Sequence, residues 1–238
     1  MKIRSLSAMA AFAALCLAGR AVAADPAPAA PAATQATKVV SLLGVSDPTL
    51  ILIRDLTGKS MLSFEADRKI ELDANRRFEQ AVKDRNFKFA GVMVDALTRE
   101  FKKKNVTLTY LKDQKGKLAA DGKSDEYSAV KVGTDTFLVV WFGPVGFLNI
   151  AKPKMAYKPL LVVNAKLIDA KTQRMLFLKT YNAGYAAAIK GVENVELDMR
   201  YTFPDVDKAM KRIDLGFEGY TAAEKLIAER IVRDIGLK

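Results

Sequence analysis

The chain has 238 residues, of which half are hydrophobic and 27% are charged, with a formal net charge of +11. This balance is typical of a globular protein, and the length suits one domain with a sizeable core. The sequence has no His, and its single Cys is Cys16. If a leader containing Cys16 is removed, the remaining chain excludes disulfides, Cys nucleophiles, imidazole bases and His metal ligands. We therefore predict no cofactor and no metal.

Residues 1–23 have the pattern of a secretory signal peptide. Lys2 and Arg4 form a positive amino-terminal region, and residues 8–19 form an apolar stretch too short to span a bilayer comfortably. Residues 21–23 read Ala-Val-Ala, which fits the rule of small residues at a cleavage site. The pattern predicts export of the protein.

Cleavage before Ala24 or Asp25 predicts a periplasmic or secreted protein. The alternative is an uncleaved anchor, which Arg20 would end. The leader contributes three positive charges and no acid, so the cleaved chain carries +8. This charge favours anionic surfaces, and an exported protein rarely meets nucleic acid. The predicted partners are therefore another envelope protein or an anionic membrane surface, not nucleic acid.

Residues 24–37 are rich in Pro and Ala, and we expect them to form a flexible linker before a single α/β domain at 38–238. The β-rich runs at 38–43 (KVVSLL) and 49–54 (TLILIR) predict either a hairpin or two short strands. Residues 60–73 fit a strand or the start of a helix equally well.

Apolar residues recur at helical spacing within residues 75–104 and predict one long amphipathic helix. They include Phe89, Ala90, Met93, Ala96, Leu97 and Phe101. A strand at 106–111 and a polar loop at 112–123 follow, and residues 125–131 predict one or two helical turns.

Residues 135–181 contain three strand-like runs and the only Trp, Trp141, which we predict to lie in the core. In the second run, Leu161, Val163, Ala165 and Leu167 alternate with less apolar residues, as in a strand covered on one face. Residues 169–173 predict a hairpin turn in which Asp169 accepts hydrogen bonds from backbone N–H groups.

Residues 182–202 have the pattern of a loop, and Asp205 is predicted to cap a helix. Thr221 and Glu224 fit a capping box at the start of a final helix over residues 221–235. Together these elements predict an α+β or α/β fold. Its mixed, largely antiparallel sheet of about five strands packs against the long amphipathic helix and the C-terminal helix.

The loop predicted at residues 143–157 is the best functional candidate in the sequence, because it is long for a connection and unusually apolar. Its candidate contact residues for a partner or for lipid headgroups are Phe147, Leu148, Ile150, Lys152, Lys154, Met155 and Tyr157. The alternative is that this loop folds back over the sheet and is buried.

Catalytic motifs are weak. Ser128 and Lys131 match the S-x-x-K spacing of penicillin-recognising enzymes, but the accompanying motifs occur in the wrong order and lack key residues. Asp205 and Asp207 could bind a metal, although capping is the commoner role of such residues. No carboxylate pair or phosphate-binding loop stands out, so we predict no catalytic residues.

Residues 91–106, 135–142 and 157–177 carry a resemblance to small bacterial envelope proteins. These are uncharacterised periplasmic proteins and lipoproteins with a compact α/β domain, similar in architecture to the curli-secretion lipoprotein and the N-terminal domain of the Tol-system propeller protein. In such proteins a Gly often follows the Asp and Thr of the hairpin turn, where this chain has Gln173. The resemblance implies a binding or scaffold role in secretion or assembly.

We therefore predict an exported, non-enzymatic envelope protein that acts as a binding or assembly accessory. One alternative is a periplasmic domain that binds a lipid or small molecule in a cavity. A second alternative is an envelope hydrolase that uses carboxylates, which would require converging acids with raised pKa values.

Overall fold

The computed structural model describes residues 38–56, 64–118, 125–149, 156–185 and 190–236. The first half contains β1 (Lys38–Leu43), β2 (Ile51–Asp55), α1 (Phe64–Asp84), α2 (Phe89–Lys103), β3 (Val106–Leu111), β4 (Lys117–Leu118) and β5 (Asp125–Glu126). The second half contains β6 (Thr136–Asn149), β7 (Tyr157–Asp169), β8 (Met175–Ala183), β9 (Val192–Val195), a 3₁₀ helix (Met199–Tyr201), α3 (Val206–Lys211) and α4 (Ile213–Asp234).

Seven of these strands form one mixed sheet, in the order β3-β1-β6-β7-β8-β9, with β2 also paired to β6. The longest pairings, β6 with β7 and β7 with β8, are antiparallel, whereas β1, β2, β3 and β9 join in parallel. The predicted fold class is confirmed, although the sheet has seven strands rather than about five. One of the additional strands is β9, in a segment predicted to be a loop.

The first two strands do not form a hairpin. They follow one another along the same side of β6, where Ser41 lies beside Phe137 and Ile51 beside Val145. Residues 44–50 separate them. Gly44, the first of these residues, allows a close approach to the backbone, because a Cβ atom there would lie 2.2 Å from the carbonyl oxygen of Lys112. The second of the two predicted arrangements, two short strands, is the one observed.

The single helix predicted at 75–104 is two helices, α1 and α2. They separate at Asn86, whose φ of 47° is left-handed and ends the first helix. The ambiguous stretch at 60–73 contributes to α1 from Phe64 onward. Apolar residues continue at helical spacing across the break, so the sequence pattern does not predict it.

The helix caps are a mixed result. Asp205 caps α3 as predicted, since its side chain accepts a hydrogen bond from the backbone N–H of Lys208 at 2.7 Å. The capping box at Thr221 is wrong, because α4 begins eight residues earlier, at Ile213. The Thr221 hydroxyl instead donates to the carbonyl of Phe217 within the helix.

All four helices contribute to one core on the same face of the sheet. At its centre lies Phe147, whose ring centre is 5.7 Å from Phe78, 5.5 Å from Phe203 and 5.8 Å from Tyr220. Gly216 lets α4 approach this ring, because a Cβ atom there would lie 2.8 Å from it. Among the described residues, no helix combines the length and apolar character needed to cross a membrane.

The opposite face of the sheet is covered only in part. Leu43, Tyr127, Phe137 and Ile168 form a small second core there, and Val130 and Val132 pack against it. The helical turns predicted at 125–131 are wrong, because this segment forms strand β5 and a turn that bring Tyr127 onto Phe137 at a ring distance of 5.6 Å. Farther along that face, Trp141 and Leu178 are exposed.

Candidate binding face of the sheet

The uncovered part of the sheet combines an exposed Trp with exposed Leu side chains. The strand register places Trp141 beside Asn164 and Thr180, and Val139 beside Lys166 and Leu178. Residues directly opposite one another in antiparallel strands share a face. We call this surface the open face and define it by Trp141, Asn164, Lys166, Leu176, Leu178 and Thr180.

Apolar exposure on the open face is substantial. Trp141 is 37% exposed, Leu178 is 52% exposed and Leu176 is 43% exposed. Their neighbours in sequence, Val140 and Phe177, point to the other face and join the main core. The alternation of strand side chains therefore places Trp141 and Leu178 away from the helices. Leu176 lies where the β7–β8 register shifts.

The prediction that Trp141 is a core residue is wrong. The run TFLVVWF is apolar at every position, so it does not show which side of the strand is covered. The neighbouring strand β7 does indicate it, because Asn164 and Lys166 are polar and lie on the more exposed side of that strand. The predicted alternation of that strand is confirmed, since Leu161, Val163, Ala165 and Leu167 are all buried.

The polar groups of the open face are engaged within the sheet. The Nζ atom of Lys166 lies 5.4 Å from the ring centre of Tyr127 and 5.6 Å from that of Trp141, at cation–π range. The Thr180 hydroxyl donates to Asn164 Oδ1 at 2.7 Å. A partner that covers this face therefore meets polar groups that already have interactions, which lowers the cost of removing water.

The predicted contact loop at 143–157 has a different structure from the one expected. Residues 143–149 continue strand β6, and Phe147, Leu148 and Tyr157 are buried. Gly143 and Pro144, which suggested a loop, lie where the β6–β7 register shifts, as in a β-bulge. These three side chains are not available to a partner in this conformation.

The other four predicted contact residues, Ile150, Lys152, Lys154 and Met155, lie outside the described residues. Their use in partner or lipid contact therefore stays a prediction. The open face is a separate surface that the sequence did not identify.

A charged cluster joins the end of α4 to strands β8 and β9. Lys179 Nζ lies 2.7 Å from Asp234 and 3.0 Å from Glu193, and Arg230 and Arg233 also contact Glu193. Partial burial lowers the pKa of Lys179, but its hydrogen bonds to the two carboxylates outweigh this effect and raise it. Each carboxylate of the cluster is paired with at least one cation, and the pairs connect α4 to the sheet.

Glu224 on α4 is a buried acid. It is 0% exposed, and neither of its carboxyl oxygens has a hydrogen-bond partner among the described residues. Burial raises its pKa well above the usual range, and the negative charge of Asp47 raises it further. Asp47 itself accepts a hydrogen bond from the backbone N–H of Ala90 at 2.8 Å. A substrate has no access to Glu224 in this conformation.

Two depressions formed by described residues lie elsewhere on the surface. The first, of about 490 Å³, is an open groove between the 3₁₀ helix and α4. It is lined by rings of Phe87, Tyr201 and Phe217 and by two cations and two acids, Arg200, Lys225, Asp214 and Glu218. The second, of about 410 Å³, lies beside β9 and is lined by polar and apolar side chains together with Gly184. Neither is a closed apolar cavity of the kind that the lipid-binding alternative requires.

The fold is that of an α+β protein with its helices on one side of a mixed sheet. No known family model matches the chain, and no curated protein matches it. Solved structures match it weakly. A hypothetical protein from Chlamydia trachomatis shares 12% identity over 84% of this chain and 97% of that chain, with a TM-score of 0.40.

Two further matches are also bacterial. A protein from Xanthomonas campestris shares 10% identity over 60% of this chain and 58% of that chain, with a TM-score of 0.35. A lipoprotein from Neisseria meningitidis shares 11% identity over 64% of this chain and 88% of that chain, with a TM-score of 0.24. Likenesses at this level carry no argument about function, and the predicted resemblance to the curli and Tol proteins stays a prediction.

Proposed function

We propose that this chain is an exported, non-enzymatic envelope protein that binds another envelope protein through the open face. The observation that carries the proposal is Trp141, which is 37% exposed on a sheet face that the helices do not cover. Trp is among the side chains enriched at positions that dominate binding energy. Exposed Leu178 lies on the same face, on the other side of Asn164 and Lys166 of β7. Exposed apolar side chains accompanied by polar residues are typical of an interaction site.

The open face suits a protein better than a membrane. Attraction to anionic lipid depends on several cations at the surface. Lys166 is the cation of the open face, and its ammonium already lies against the rings of Tyr127 and Trp141. An exposed aromatic ring beside exposed Leu, with one cation already held against rings, is closer to the composition of a protein interface.

Site-specific photo-crosslinking tests this proposal. A photoreactive amino acid replaces Leu178 on the open face in one protein and Met199 in the 3₁₀ helix in the control. Leu178 is 52% exposed and Met199 is 58% exposed. In intact cells, we expect a discrete protein adduct from position 178 and none of that size from position 199.

Adding Trp141→Ala should reduce the adduct at position 178 at least about tenfold, because a central Trp contributes 2 kcal/mol or more at many interfaces. A circular dichroism spectrum matching the parent protein controls for folding. No adduct at position 178, an adduct to lipid alone, or an adduct that Trp141→Ala leaves unchanged would each overturn the proposal.

A second candidate function is binding of a small aromatic ligand. The groove of about 490 Å³ favours it, because rings of Phe87, Tyr201 and Phe217 line it together with charged side chains of both signs. A melting temperature raised by small aromatic compounds in the parent chain, but not in Phe217→Ala, would support this function over the first. The hydrolase alternative has no comparable support, since Glu224 is buried.

A further inference from the structure

The two strands at one edge of the sheet present different backbone surfaces. The outer N–H groups of β2 are occupied by side chains of α1. The backbone N–H of Ile53 donates to Asn75 Oδ1 at 2.8 Å, and that of Asp55 donates to Glu71 Oε1 at 3.0 Å. Strand β2 therefore has little capacity to pair with another chain.

Among the described strands, β3 is the outermost on the same side and pairs only with β1. Apart from this pairing, the backbone of β3 makes one further hydrogen bond among the described residues. In it, the carbonyl of Leu111 accepts from the backbone N–H of Gln114. Alternate residues of an edge strand direct N–H and C=O groups outward, where they form a template for a further strand.

The side chains of β3 also permit such pairing. Its sequence, VTLTYL, has no Pro and no charge, the two features with which proteins commonly block an edge. Thr107 and Thr109 are exposed, and Leu108 and Tyr110 are half-buried. An added strand would continue the hydrogen bonding of the sheet and extend the apolar contacts of these last two side chains.

Lysines lie at both ends of this strand. Lys102, Lys103 and Lys104 precede it, and Lys112, Lys115 and Lys117 follow it, whereas residues 100–117 contain two acids, Glu100 and Asp113. Glu100 is already paired with Lys103 at 2.6 Å. Antiparallel pairing of β3 with a second copy would bring the two lysine groups together, and like charges opposite one another are destabilising.

From this combination we infer that β3 binds an extended segment of another protein by strand addition, and that this segment carries acidic residues on both sides of its β-forming centre. Backbone hydrogen bonds supply the affinity, and the flanking lysines supply the preference for acidic partners. The site lies at the edge of the sheet and uses none of the open-face residues, so it stands independently of the proposed function.

Fluorescence anisotropy with a labelled synthetic peptide tests this inference. The probe has an alternating Val and Thr centre with a run of Glu at each end, and it is titrated with the whole chain at low salt. The double variant Lys104→Glu/Lys112→Glu should bind at least about tenfold more weakly than the parent. Lys83→Glu/Lys211→Glu, which reverses two exposed lysines away from β3, the open face and the grooves, should bind like the parent within about twofold.

Two further measurements test whether the probe binds as an added strand. A probe with Pro in its centre should lose binding, and bound probe should slow hydrogen exchange at alternate amides of β3. Trp141→Ala should leave probe binding unchanged, which separates this site from the open face. Absence of binding, equal binding of the Pro probe, equal binding by the Lys104→Glu/Lys112→Glu variant, or self-association of the chain through β3 would overturn the inference.

Discussion

Trp141 and Phe147 lie in the same strand, six residues apart, yet on opposite faces of the sheet. Phe147 is 0% exposed at the centre of the aromatic core, and Trp141 is 37% exposed on the open face. In a regular strand an even separation places two residues on the same face. The register shift between Phe142 and Val145 inverts this relation.

The difference shows that strand alternation, offset by one residue at the bulge, decides which face an aromatic side chain of β6 occupies. Phe142, next to Trp141, packs on the helix side, where its ring centre lies 6.0 Å from that of Phe89. On one side of the bulge the strand places Trp141 away from the helices. On the other side it places Phe147 beneath Tyr220 of α4 and Phe78 of α1. Both ends of the strand supply buried core residues, among them Leu138 and Val140 at the end that exposes Trp141.

Alanine substitution of Phe147 and of Trp141 should give the largest difference in stability between the two faces. We expect Phe147→Ala to lower the free energy of unfolding by about 3–5 kcal/mol, because it removes a fully buried ring and leaves a cavity. We expect Trp141→Ala to lower it by less than about 1.5 kcal/mol, since one side of that ring faces water. Urea denaturation followed by circular dichroism measures both. Similar losses for the two variants would contradict the account.

The covered face also contains a buried acid, Glu224. We expect a smaller effect on the free energy of unfolding there than at Phe147. The pKa of this carboxyl is raised in the folded chain from its ordinary value of 4.5. The folded chain therefore binds this proton more tightly than the unfolded chain does. Its contribution to stability is fully present below pH 4.5 and is lost as the pH rises through the raised pKa.

Glu224→Gln should remove this component of the pH dependence. The parent should lose about 1.4 kcal/mol of unfolding free energy, relative to the variant, for each pH unit between the unfolded and folded pKa values. Denaturation at several pH values above 4.5 measures the difference, and the exposed Glu229→Gln serves as the matched control. The same pH slope in the parent and in Glu224→Gln would show that Glu224 is not held protonated.

The sequence predicted the local features that depend on a few neighbouring residues. Asp169 accepts hydrogen bonds from the backbone N–H and the hydroxyl of Thr172 at 2.7 and 2.8 Å, and Asp205 caps α3, as expected. Gln173, which stands where Gly was expected, has a left-handed φ of 58°. The apolar face of α2 was also predicted correctly, because all its contacts lie on one stripe.

Features that depend on tertiary contacts were not predictable in the same way. The run around Trp141 is apolar on both sides, so its exposed face is defined only once the helices pack. Residues 213–220 lack a cap before them, and α4 begins there because Phe217 and Tyr220 pack on Phe87, Phe89 and Phe147. Strand β9 forms because β8 offers it an edge, a contact that no local pattern encodes.

The open face can be tested directly because Trp141 is the only Trp in the chain. Quenching of intrinsic fluorescence by acrylamide reports how much of this one ring reaches solvent. The account predicts that the folded protein is quenched readily, at a substantial fraction of the value in urea, and that quenching falls when the open face binds its partner. A blue-shifted emission that acrylamide scarcely quenches in the isolated folded protein would place Trp141 in the core and contradict the account.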